Sequence, residues 1–176
     1  MSPQALFLDR DGTLIVDRHY LSDPADVALL PGVRETLQQF AARGCRLFLF
    51  TNQSGVGRGM FSLEAVHRCN QRMLELLGLP SPAFTEICIA TEVTEIAGGY
   101  RKPSPRFILE MIARHSLALA ETWMIGDRLN DMQAGLNAGV RTAILTQERV
   151  AAVPSMVWQC RDLHDFEARL LKAETA

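Results

Sequence analysis

Ala5-Leu6-Phe7-Leu8-Asp9-Arg10-Asp11-Gly12 is the stretch whose reading decides the fold class of this 176-residue chain. An unbroken apolar run cut off by charge and a glycine predicts a strand buried on both faces that opens into a turn. The pattern returns along the chain. Leu47-Phe48-Leu49-Phe50 ends in Thr51-Asn52, Ile87-Cys88-Ile89-Ala90 repeats the run, Trp123-Met124-Ile125 ends in Gly126-Asp127, and Thr142-Ala143-Ile144-Leu145 closes the series.

Helical periodicity fills the intervals: Val33 to Ala42, Leu63 to Leu77 behind a Ser62 cap, Pro105 to His115 behind Ser104, and Leu129 to Ala138 ending at Gly139. Met156 to Cys160 reads as a last strand and Leu163 to Lys172 as a last helix. Strands apolar on both faces and alternating with helices predict an α/β fold: a doubly wound, mostly parallel sheet with helices on both faces. The expected organisation is one domain over residues 1–176 with no separate cap domain.

Composition narrows the functional classes. The chain is 48% hydrophobic and 22% charged with a net charge of −2, the balance of a folded globular protein. That charge offers no broad cationic surface, so nucleic acid is not an expected partner. No apolar run reaches the ~18 residues of a membrane helix, and the first residues show no basic stretch followed by a signal-length apolar segment. The four cysteines, Cys45, Cys69, Cys88 and Cys160, are scattered without a C-x-x-C pair. They read as reduced thiols, so a cytoplasmic location is expected, and the chain is expected to be a monomer.

In a doubly wound sheet, ligands bind beyond the carboxyl ends of the strands. Those ends here carry Asp9 and Asp11, Thr51 and Asn52, and Gly126-Asp127. Two carboxylates two residues apart at a strand end can face one site and repel unless a cation offsets them; oxygen donors favour magnesium over zinc. An aspartate beside such an ion can attack phosphorus and divide one slow hydrolysis into two easier steps. Each feature also has a plain structural reading. Asp9 and Asp11 would cap a turn, Thr51 would bond local backbone, Lys102 would be a solvated surface lysine, and Asp127 with Asp131 would favour a helix start. All of them in this order, each at a strand end or in its loop, argue for the shared site.

Asp9-Arg10-Asp11-Gly12-Thr13-Leu14, Phe50-Thr51-Asn52-Gln53, Arg101-Lys102-Pro103 and Gly126-Asp127-Arg128-Leu129-Asn130-Asp131 resemble the four signatures of the haloacid dehalogenase (HAD) superfamily. The resemblance spans residues 5–147 and implies a phosphatase with a HAD-like Rossmannoid fold. It also implies roles. Asp9 would be the nucleophile, Asp11 the acid and base, and Thr51 and Lys102 the grips on the phosphoryl group. Asp9, the main-chain carbonyl of Asp11, and Asp127 would hold Mg²⁺, with Asp131 in support.

Thr51-Asn52-Gln53-Ser54-Gly55, Gly57-Arg58-Gly59 and Arg101-Lys102-Pro103 resemble a HAD subgroup. It contains heptose 1,7-bisphosphate phosphatases and histidinol-phosphatase domains. Asn52, Arg58 and Arg101 become candidate substrate contacts, since arginine binds phosphate oxygens bidentately. The subgroup's zinc loop would fall at Thr91 to Tyr100, which contains neither Cys nor His, so no zinc is expected. That loop's order is expected from packing of Ile96 and Tyr100. A small sugar bisphosphate is the expected substrate, with histidinol phosphate or a polynucleotide 3′-phosphate as alternatives. Outside enzymes, a phospho-accepting receiver module shares the residue types but places its nucleophile after a later strand.

Overall fold

The computed structural model describes residues 3–148, 150, 151 and 153–175. Six strands form one parallel sheet: β1 (Ala5–Leu8), β2 (Arg46–Asn52), β3 (Glu86–Ala90), β4 (Thr122–Gly126), β5 (Arg141–Leu145) and β6 (Trp158–Cys160). Helices α1 (Val33–Ala42), α2 (Ser54–Gly57), α3 (Leu63–Leu77), α4 (Arg106–His115), α5 (Leu129–Ala138) and α6 (Leu163–Thr175) connect or follow them. The strand order is β3-β2-β1-β4-β5-β6. The winding reverses at β1, so the loops leaving β1 and β4 diverge and leave a crevice at their carboxyl ends.

Alternation along each strand divides the core. Leu6, Leu8, Leu47, Leu49, Trp123 and Ile125 face one side, where Leu37 and Phe40 of α1, Cys69 and Met73 of α3 and Phe166 of α6 cover them. Ala5, Phe7, Phe48, Phe50 and Met124 face the other, under Phe107 and Ile108 of α4 and Ala134 of α5. The Phe7 and Phe48 rings stack with centroids 4.6 Å apart, and Phe107 meets Phe7 edge-on at 5.7 Å. Truncating one of these buried rings to alanine costs about 3–5 kcal/mol.

The helix ends follow local chemistry, with one shift. Ser62 accepts the Ala65 N–H at 3.2 Å and starts α3. Gly139, at φ 73°, closes α5. The third expected helix starts at Arg106, one residue late; Ser104 Oγ donates to the Gly99 carbonyl at 2.8 Å and accepts the Arg106 N–H at 3.4 Å. The final strand is also shorter than its apolar pattern, since Met156 is 74% exposed and stays outside β6. The short helix α2 gave no periodic signal because four residues complete barely one turn.

Candidate active site

β1 delivers Asp9 to the crevice, and the chain then folds back around the Arg10 carbonyl, which accepts the Leu14 and Ile15 N–H groups at 2.9 and 3.0 Å. Glycine is required twice here. Gly12 lies at φ 80°, and a Cβ there would sit 2.4 Å from Asp127 Oδ2; a Cβ on Gly126 would sit 2.3 Å from Asp131 Cγ. Both glycines let acidic side chains approach the backbone of the β1 and β4 turns.

Lys102 reaches the same point from the loop after β3. Its Nζ lies 2.5 Å from Asp9 Oδ1, 2.6 Å from Asp131 Oδ1 and 2.7 Å from the Phe50 carbonyl. An ammonium has three donors, so each has an acceptor. Asn52 fixes the backbone behind it: Asn52 Nδ2 donates to the Lys102 carbonyl at 3.1 Å, and the Lys102 N–H donates to Asn52 Oδ1 at 2.9 Å. The strand-end asparagine, expected at the substrate, therefore spends its amide on positioning Lys102.

Asp9, Asp127 and Asp131 each bring a carboxylate oxygen to within 4.8 Å of the others. Three carboxylates face one ammonium, which leaves an excess of negative charge in a poorly hydrated place. Burial raises the Asp9 pKa; Lys102 opposes the rise, and Asp131 and Asp11 add to it. Burial and then Asp131 lift Asp127 to about 6. Burial works against the Lys102 ammonium, but Asp131 and Asp9 outweigh it and raise its pKa. A cation bound among these oxygens would relieve the crowding. Asp131 is already committed at both oxygens, to Lys102 and to the Arg128 N–H at 2.9 Å, which suits a bracing part.

The Asp11 side chain stands apart from that group. Arg10 and Gln53 hold its carboxylate, Gln53 Nε2 donating at 2.8 Å to Asp11 Oδ2 and at 2.8 Å to Thr51 Oγ1. Thr51 thus accepts from Gln53 and keeps its own O–H to donate. A cavity of about 280 Å³ opens above, lined by Asp9, Asp11, Asn52, Gln53, Arg101 and Lys102 among others. Arg128 pairs with Asp17 at 2.6 Å on its wall. Arg101 lines the cavity and donates to the Glu92 carbonyl at 3.0 Å. Arg58 does not line it; at the end of α2 it is exposed to solvent.

The loop from Thr91 to Tyr100 is tied by polar contacts. Glu92 Oε1 accepts the Tyr100 N–H at 2.8 Å, Tyr100 Oη donates to Glu110 at 2.9 Å, and Arg106 covers the Tyr100 ring at 4.4 Å and donates to the Gly98 carbonyl. Tyr100 packs against the core as expected, whereas Ile96 is 59% exposed and does not. Asn70 carries no strand-end or pairing signal in the sequence, because its partner Arg10 lies 60 residues away in the turn after β1; Arg10 and Gln53 adjoin strand ends, but their contacts with Asn70 and Asp11, respectively, cross between elements.

A haloacid dehalogenase-like hydrolase family model matches residues 20–139. The chain belongs to that family. Over 165 residues the hydrolase is 35% identical to a D-glycero-β-D-manno-heptose-1,7-bisphosphate 7-phosphatase of Helicobacter pylori J99, covering 93% of this chain and 94% of that one. A phosphatase of the same name from Mesorhizobium japonicum is 36% identical over 97% of this chain and 82% of its own. The α-anomer enzyme of Campylobacter jejuni is 35% identical, over 84% of this chain and 85% of its own. Among solved structures, the D,D-heptose 1,7-bisphosphate phosphatase of B. bronchiseptica, complexed with magnesium and phosphate, superposes with a TM-score of 0.85. It is 24% identical and covers 98% of this chain and 99% of its own, a likeness of fold. A HAD-like protein from Mesorhizobium loti gives 0.80 at 34% identity over 99% of this chain and 87% of its own.

Proposed function

We propose that the hydrolase is a phosphomonoesterase that takes the phosphoryl group onto Asp9 and acts on a heptose 1,7-bisphosphate. The observation that carries the reading is the buried contact of Lys102 with Asp9 at a strand end that opens into a polar cavity. It is supported by relatives of that activity at about 35% identity over most of the chain.

Lys102 occupies Oδ1 of Asp9 and fixes the rotation of the carboxylate, leaving the other oxygen to attack phosphorus in line. The P–O bond to the sugar breaks as the Asp9 O–P bond forms. Asp11, held by Arg10 and Gln53, gives its proton to the departing alkoxide and then takes one from the water that hydrolyses the aspartyl phosphate. The Thr51 hydroxyl donates to a phosphoryl oxygen, and Arg101, at the cavity wall, meets the rest of the substrate. Asp9 and Asp127, braced by Asp131 and joined by the main-chain carbonyl of Asp11, would hold Mg²⁺, which screens the phosphate dianion from the carboxylates when bound. No zinc is assigned, since residues 91–100 lack thiolate and imidazole ligands.

The hydrolase is read as a cytoplasmic monomer that does not handle nucleic acid. Its four free cysteines suit a reducing compartment. Among the described residues no helix is long and apolar enough to cross a membrane. Relatives of equal identity are named for the β and the α anomer.

The test is an assay with magnesium on both anomers of heptose 1,7-bisphosphate, histidinol phosphate and a 3′-phosphorylated oligonucleotide. The expected result is preferred cleavage of one heptose anomer. Higher kcat/KM on histidinol phosphate or the oligonucleotide would replace the substrate named here.

A further inference from the structure

Asn70 lies on the core-facing side of α3, among Val66, Cys69, Met73 and Leu77, and is 4% exposed. A polar side chain there is costly unless it is bonded. Its Oδ1 accepts from Arg10 Nη1 at 2.9 Å, and its Nδ2 has no partner. Arg10 is itself fully buried. The rest of its guanidinium meets Asp11: Nε lies 3.1 Å from Oδ2, and Nη2 lies 3.2 Å from Oδ1 and 3.0 Å from Oδ2. Gln53 approaches Asp11 Oδ2 from β2's end at 2.8 Å. Asp11 sits on a turn, and its carboxylate is held by its neighbour Arg10, which Asn70 of α3 supports, and by Gln53 at the end of β2.

We propose that Asn70 is a positioning residue: through Arg10 it sets the direction of the Asp11 carboxyl group towards the leaving oxygen. An unsupported guanidinium can rotate about its long stem, whereas the Asn70 acceptor fixes one edge of the planar group, so the opposite edge meets Asp11 in one orientation. Only Oδ1 of Asn70 matters in this arrangement, so Asn70→Asp keeps the support and Asn70→Ala removes it. Arg10→Lys keeps the charge and loses the planar fork. This inference rests on the proposed phosphatase reading.

The experiment compares kcat/KM, which reports phosphoryl transfer to the enzyme, on two leaving groups. A heptose alkoxide needs a proton as it departs; p-nitrophenolate does not. Asn70→Ala and Arg10→Lys, checked for cooperative thermal unfolding, should lose about 10- to 100-fold on heptose 1,7-bisphosphate and much less on p-nitrophenyl phosphate. Asn70→Asp should restore the wild-type ratio between the two substrates. A common loss on both substrates, or a wild-type ratio in Asn70→Ala or Arg10→Lys, overturns the positioning role. If Asn70→Ala does not fold, Arg10→Lys decides alone, and if Arg10→Lys does not fold, Asn70→Ala decides; should neither fold, the role is rejected in favour of a purely structural one. A wild-type protein that cleaves neither ester with magnesium would instead remove the phosphatase reading itself.

Discussion

Lys102 Nζ lies 2.6 Å from Asp131 Oδ1, and both residues are 2% exposed. The pair joins the loop after β3 to the first turn of α5, and Asp9 at the end of β1 completes it. Breaking a buried pair strands the remaining charge, at a cost of about 3–5 kcal/mol. Lys102→Met should therefore lower stability by that amount in urea denaturation as well as abolish turnover. A variant as stable as the wild type would show that the ion pair adds little to the fold.

Asp9→Asn should stop turnover while the protein still unfolds cooperatively. The amide keeps an oxygen for Lys102 but is too weak a nucleophile to replace the carboxylate. Uncatalysed phosphate-monoester hydrolysis is so slow that enzymes accelerate it by up to ~10²¹-fold, so loss of the nucleophile cannot leave a small defect. Turnover near the wild-type rate in this variant would falsify attack by Asp9.

Magnesium should raise the unfolding temperature of the wild type and EDTA should stop its activity, because a ligand that binds the native state stabilises it by about 2.7 kcal/mol at a hundred times its Kd. Asp127→Asn removes a charge that burial and Asp131 make unfavourable. In EDTA that variant should melt at or above the wild type, and magnesium should shift it little. Equal magnesium shifts in the two proteins would exclude Asp127 as a ligand.

Glu92→Ala should loosen the segment from Thr91 to Tyr100, because its carboxylate accepts the Tyr100 N–H at 2.8 Å. The expected signs are faster proteolysis within 91–101 and a higher KM, since Arg101 on the cavity wall also bonds the Glu92 carbonyl. Elemental analysis of protein purified without added metal should find no stoichiometric zinc. Zinc whose removal disorders the loop would show that metal, and not the Glu92 contact, holds it.

Burial pushes the Cys45 and Cys88 thiols up to about 12 and Cys160 to about 11, and raises Cys69 as well. At pH 8 a thiol near 12 is ionised only about once in ten thousand molecules, and the thiolate is the reactive form. All four should react slowly with a disulfide reagent in the native protein and rapidly after unfolding. The raised values favour the protonated form in the folded state, so this contribution to stability is lost as pH rises above the unfolded value near ~8.5. Rapid native labelling of Cys45 would contradict its burial.

The sheet was legible because each buried parallel strand needs an apolar run, and the change to Asp, Thr or Gly at its end marks where the chain leaves the core. Asp9, Asp11, Thr51 and Asp127 could be grouped for the same reason: strand ends of one parallel sheet share an edge. Lys102, a lone lysine in a loop with no period, could be read only in company with the strand-end residues and by its likeness to a known signature. The sequence also determined that residues 91–100 lack zinc ligands. Tertiary structure alone decided the partners. It turned the Asn52 amide onto the Lys102 main chain, left Arg58 in solvent, closed the Lys102 and Asp131 pair, and placed Asn70 behind Arg10 across 60 residues of chain. Hydrogen bonds and ion pairs act over about 3 Å, and their reach depends on loop paths and helix rotation. Local periodicity does not encode those, so the residues could be read as polar strand-end or helix positions while their contacts waited for the fold.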